Sequence, residues 1–147
     1  MALKTPLQMS LDFLSRRAYT EQELSEKLST CRFSDEEISE CLQRLKSWGY
    51  LNDLNFGINR IISLKAKLKS RDYIKNDLLK HGLTTEACDD LMDINYPEET
   101  EKDIALELLK KKFYKRPKST SQGAFFLQRA GFSEDTIHHC FPNLSAP

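Results

Sequence analysis

Apolar residues recur along this chain at helical spacing, in short runs that each open on a capping signal. In "TEQELSEKL", Thr20 stands before Leu24 and Leu28, and Glu23 lies three residues on, where it completes a capping box. "SDEEISECLQRLKSWG" repeats the arrangement: Ser34 caps, Glu37 follows at the same offset, Ile38, Cys41, Leu42 and Leu45 form one stripe, and Gly49 can end the helix. "SRDYIKNDLLKHGL" places Ile74 and Leu78 before Gly82, and "TTEACDDLMDI" places Cys88, Leu91 and Met92 after a cap at Thr84 or Thr85. Pro97 breaks the run before "ETEKDIALELLKKKFY", and "TSQGAFFLQRAGFSEDTIHHCF" reads as a further helix, turn, helix.

These segments superpose on one another with a period of about 50 residues. "STCRFSDEEISECL", "LKHGLTTEACDDLM" and "QRAGFSEDTIHHCF" align without a gap. Their caps are Ser34, Thr84 and Ser133, each preceded by an apolar residue (Phe33, Leu83, Phe132) and followed two positions on by an acid (Glu36, Glu86, Asp135). Apolar periodicity alone would not reproduce the turn chemistry three times. In front of each pair lies room for a leading helix, over residues 6–18, 53–68 and 99–116. The expected fold is therefore all-α: three tandem three-helix repeats, over 1–49, 50–97 and 98–147, forming an elongated, curved helical array.

The stretch "GYLNDLNFGINRI" (49–61) has two local readings. Leu54, Phe56 and Ile58 alternate with polar residues as in the wing of a winged-helix DNA reader. Alternatively Asn52 or Asp53 caps the leading helix of the second repeat. The repeat favours the second reading, as do the four acids (Asp35, Glu36, Glu37, Glu40) at the start of the would-be recognition helix, which carry the wrong sign for phosphate.

Composition adds little until its distribution is considered. With 39% apolar and 30% charged residues, five Gly and five Pro, the chain suits a helical protein. No apolar run is long enough for a membrane span, and no signal-peptide pattern opens it, so a cytoplasmic location is expected. The 22 basic and 22 acidic residues cancel but segregate. Arg60 to Lys75 holds six cations against Asp72, Lys110 to Lys118 holds six against none, and Glu86 to Asp103 holds eight acids against Lys102. Counting 17 residues back from each cap reaches Arg17, Lys67 and Arg116. Three stacked units would thus present a row of basic helix ends, more cations than offsetting a helix dipole requires.

Candidate chemistry is sparse. Cys31, Cys41, Cys88 and Cys140 form no CxxC pair and are expected to be buried thiols, while His81 and the "HHC" of 138–140 lack the spacing of a metal site. There is no phosphate-binding glycine loop, no HExxH and no nucleophile elbow, so no enzyme, cofactor or metal is expected. Trp48 and the Phe125–Phe126 pair could stack on bases, but beside core leucines they are expected to be core.

"GYLND..F" (Gly49 to Asp53, Phe56), followed by Ile74, Asp77, Leu78, Gly82 and Leu83 and by Arg129, Ala130, Gly131 and Phe132, resembles the bacterial recombination regulator family RecX over nearly the whole chain. Asn52 departs from the family's Asp, Gly57 stands where Ala is usual, and the usual glycine near Ser70 to Asp72 is missing. The resemblance implies a non-enzymatic modulator that lies along the RecA filament on single-stranded DNA, limits filament growth and strand exchange, and so restrains recombination, DNA repair and the SOS response. It implies the RecA filament as partner, with single- or double-stranded DNA as a further contact, and a monomer without membrane attachment. The partner-binding residues expected are the basic row: Arg16, Arg17, Arg60, Lys65, Lys67, Lys69, Arg71, Lys75, Lys111, Lys112, Lys115, Arg116 and Lys118.

Overall fold

A computed structural model describes residues 3–113 and 119–142. They form nine helices and no strand among the described residues: α1 (Pro6–Arg16), α2 (Glu21–Thr30), α3 (Asp35–Ser47), α4 (Asp53–Ala66), α5 (Arg71–Lys80), α6 (Thr85–Asn95), α7 (Glu98–Lys112), α8 (Thr120–Arg129) and α9 (Glu134–Cys140). The capping boxes of Thr20 with Glu23 and of Ser34 with Glu37 both close. Thr84, not Thr85, caps α6. Asn52, not Asp53, caps α4, its side chain accepting from the Asn55 N–H. The wing is absent: Leu54, Phe56 and Ile58 lie in α4.

The helices pack in threes, α1 with α2 and α3, α4 with α5 and α6, and α9 with both α7 and α8. Each leading helix carries a small buried residue, Ser10, Gly57 and Ala105. The first two meet the third helix of their own unit. Ser10 Oγ lies 3.4 Å from Cys41 Sγ, and a Cβ on Gly57 would come within 2.5 Å of Leu91 Cδ1. The departure to Gly57 therefore lets α4 pack close to α6.

Two apolar cores result. One belongs to the first unit and centres on Leu24, Leu28, Ile38, Leu42 and Leu45. The other runs without interruption through the second and third units, from Ile61, Ile74 and Leu78 through Tyr96 and Ala105 to Leu127 and Phe132. Cys41 and Cys88 are buried as expected, whereas Cys31 and Cys140 are half-buried. Trp48 and Phe125 correct the expectation of core aromatics, being 53% and 57% exposed.

Candidate partner interface

Successive units join by one recurring device. The turn between the second and third helices of a unit seats on the N-terminus of the preceding unit's middle helix, bringing Gly82 against Gln22 and Gly131 against Ser70. An acid on the following unit's leading helix accepts from the first N–H of that middle helix. Asp53 takes the Glu21 N–H at 2.8 Å, and Glu101 takes the Arg71 N–H at 2.8 Å.

The two joints nevertheless differ in chemistry. Around the first, Thr20 Oγ1 donates to the His81 carbonyl, His81 Nδ1 lies 3.0 Å from Glu23 Oε2, and Arg17 reaches the same carboxylate at 3.6 Å. Burial alone would push the Glu23 carboxyl up, but hydrogen bonds from His81 and the Thr20 N–H, with the nearby cationic charge, hold it below its ordinary value. His81, which looked isolated in the chain, is a joint residue. At the second joint Glu101, 2% exposed, also accepts from the Ser133 N–H at 3.1 Å and from Thr136 Oγ1 at 2.7 Å. An acid counted with the charged surface of 86–103 is thus a buried cross-link. Nothing in its local sequence separates it from Glu98 or Glu99; only its register on α7 does.

Helix ends and carboxylates sort the expected basic row into two groups. Arg60 donates to both oxygens of Asp77, at 2.6 and 2.9 Å, and holds that carboxyl below the usual range against the effect of burial. Arg71 donates to the Tyr96 carbonyl at 2.7 Å and faces Asp93 and Glu98. Lys75 pairs with Asp89 at 2.7 Å, a hydrogen bond that raises its ammonium pKa. Part of the segregated charge therefore cancels within the fold. Arg17 shares Glu23 and lies over the Tyr19 ring, and Arg16 reaches Asp12 only at 4.0 Å.

The second group meets no carboxylate within ion-pair distance among the described residues. It comprises Lys65, Lys67 and Lys69 at the end of α4, and Lys111 and Lys112 at the end of α7. Lys65 donates to the Asn95 carbonyl, and Lys69 lies 4.7 Å from the Tyr73 ring centre. Lys67 is the exposed C-cap of α4, as Arg17 is of α1, so the 17-residue count reached equivalent helix ends. Lys115, Arg116 and Lys118 fall outside the described residues. Tyr96 anchors the α4 end from within: it is fully buried, donates its hydroxyl to the Lys69 carbonyl at 2.9 Å, and has its phenol pKa driven up by burial.

Comparison with known proteins places this arrangement. Residues 7–45 match the family model for the RecX first three-helix domain. The regulatory protein RecX of Caldanaerobacter subterraneus subsp. tengcongensis is 33% identical over 99 residues, 67% of this chain and 50% of the relative. That of Stenotrophomonas maltophilia is 29% identical over 139 residues, 91% of this chain and 83% of the relative. The chain thus spans about half the length of the first relative and most of the second. The crystal structure of RecX from Lactobacillus salivarius superposes with a TM-score of 0.82 at 21% identity, covering 95% of this chain and 94% of that one. Another regulatory protein RecX superposes with a TM-score of 0.76 at 19% identity, over 95% of this chain and 72% of that one, so the fold is shared well beyond sequence similarity. With the three-helix repeat and its joints in place, the chain belongs to the RecX family of regulatory proteins.

Proposed function

We propose that the protein binds the RecA recombinase filament on single-stranded DNA and inhibits its growth, its ATPase and strand exchange, thereby modulating recombination and the repair response. The observation that carries this reading is the set of cations that meet no carboxylate among the described residues on two consecutive units, Lys65, Lys67 and Lys69 at and just beyond the end of α4 and Lys111 and Lys112 at the end of α7. Tandem units spread many weak contacts over successive protomers of a helical filament, and simultaneous engagement raises avidity beyond any single contact. Cations not already neutralised lose no internal ion pair on meeting phosphate or an acidic protein surface. Arg60, Arg71 and Lys75, paired within the fold, serve the array's internal geometry. Arg16 and Arg17 extend the basic edge onto the first unit.

The test is inhibition of the DNA-dependent ATPase of RecA by the triple charge reversal K67E/K69E/K112E. Inhibition should fall by roughly a hundredfold in potency if the several lost ion contacts each contribute about 1 kcal/mol, with the helical circular dichroism spectrum unchanged. Undiminished inhibition would remove these residues from the interface.

A further inference from the structure

The groove between the leading and middle helices exists in both the second and third units, with different chemistry. In the second unit it is lined by Phe56, Asn59, Arg60, Ser63 and His81 and bordered by Arg17 and Ala18 of the first unit. Arg60 finds its carboxylate within the chain: Asp77 binds it and also lies 3.7 Å from His81 Nε2. In the third unit the repeat puts Phe126 where Asp77 stands and Ala130 where His81 stands. The groove, about 430 Å³, is lined there by Lys112, Phe113, Gln122, Phe125, Phe126 and Arg129 together with Ala130.

Three features of this third groove belong together. Its floor is aromatic, with Phe113 and Phe126 edge to face at 5.6 Å and Phe125 57% exposed. Its rim is cationic, Lys112 lying 5.6 Å from the Phe126 ring centre and Arg129 5.7 Å from that of Phe125. Among the described residues no carboxylate lies within ion-pair distance of either cation, and none lines the groove. At the position from which Asp77 supplies a carboxylate in the second unit, the third unit carries Phe126.

We propose that this α7–α8 groove docks an acidic segment of a protein partner, one in which Asp or Glu residues flank a large apolar side chain. The apolar residue lies on Phe113, Phe125 and Phe126, and its acidic neighbours meet Lys112 and Arg129, taking the place that Asp77 occupies in the second unit. Exposed aromatics beside unneutralised cations are the composition of interface anchors, where aromatic residues and Arg are enriched and Arg is among the residues that carry most of the binding energy. Charge complementarity selects the acidic peptide, because a basic segment would meet two cations with nothing to offset them. The inference goes beyond the recombinase reading: Lys112 serves in both, but Phe113, Phe125, Phe126 and Arg129 belong to the groove alone and carry its test.

Fluorescence anisotropy with the full chain tests it directly. The probes are a labelled peptide carrying Asp and Glu around an Ile-Phe pair, its Lys-substituted counterpart, and a labelled oligothymidine. Expected is saturable, salt-sensitive binding of the acidic peptide alone, weakened roughly tenfold or more by Phe125→Ala and by Arg129→Glu, and unchanged by Lys4→Glu on α1's N-terminal side. Phe125 and Arg129 both carry exposed side chains, and circular dichroism confirms that the variants fold. Absence of binding by the acidic peptide at about 1 mM, equal binding of the Lys-substituted peptide, or binding indifferent to both groove variants would overturn the proposal. Binding of the oligothymidine with the same loss in both variants would reassign the groove to nucleic acid.

Discussion

One residue in each unit, at the turn between its second and third helices, takes a left-handed backbone: Arg32 at φ 69°, Gly82 at 99° and Gly131 at 91°. Conformation alone favours glycine there, since an L side chain in that region costs about 1 kcal/mol or more. Contact supplies a second reason in two of the three. A Cβ on Gly82 would lie 2.8 Å from Gln22 Cβ, and one on Gly131 would lie 3.0 Å from Ser70 Oγ, because these turns seat on the preceding unit. The corresponding turn of the first unit carries Arg32, whose side chain is exposed. Opposite outcomes are therefore expected from urea unfolding. Gly82→Ala should destabilise by about 2 kcal/mol, combining backbone strain with crowding, whereas Arg32→Gly should stabilise by about 1 kcal/mol. Equal losses from both substitutions would contradict the contact argument.

At the scale of elements, α4 and α5 are held by the Arg60–Asp77 pair as well as by apolar packing. The two hydrogen bonds from the guanidinium keep the Asp77 carboxyl below the ordinary aspartate value of 3.8, against burial, which acts in the other direction. A depressed carboxylate stabilises the fold fully above the unfolded value and loses that contribution as pH falls through the folded one. Asp77→Asn should consequently cost about 1 kcal/mol near neutral pH, measured by urea unfolding over a pH series. The gap between parent and variant should close in acid. A gap that persisted below the folded value would show that packing, and not the ion pair, makes the difference. The α7–α9 packing uses Glu101 in a related way, but its carboxylate also gathers donors from α5, so it ties elements of two units at once.

The whole molecule divides unevenly. The first unit closes its own apolar core, and its joint to the second is made of hydrogen bonds and ion pairs around Thr20, Glu23, Asp53 and His81. The second and third units share one continuous core. Cooperative opening follows shared apolar burial more closely than polar contacts that water can replace. Native-state hydrogen exchange should therefore report α1–α3 opening as one group, at a lower free energy than the joint opening of α4–α9. A single common opening energy across all nine helices would count against two cooperative bodies.

Much of this organisation is written in the order of residues. Helices, caps and the threefold repeat follow from local rules, because a capping threonine, an acid three positions on and apolar residues one turn apart act within a few residues of each other. The helix ends bearing Arg17 and Lys67 were legible by counting for the same reason. Tertiary structure alone decided which charges remain available. Arg60, Arg71 and Lys75 look identical in sequence to Lys67 and Lys112, yet meet carboxylates up to 27 residues away, as in the Arg71–Glu98 pair. Likewise Glu101 is buried while Glu98 and Glu99 beside it are not, and Phe125 is exposed while Leu127 is fully enclosed. Ion pairing and burial depend on which helix faces cross, a property of the packed array that no single stretch of the chain contains.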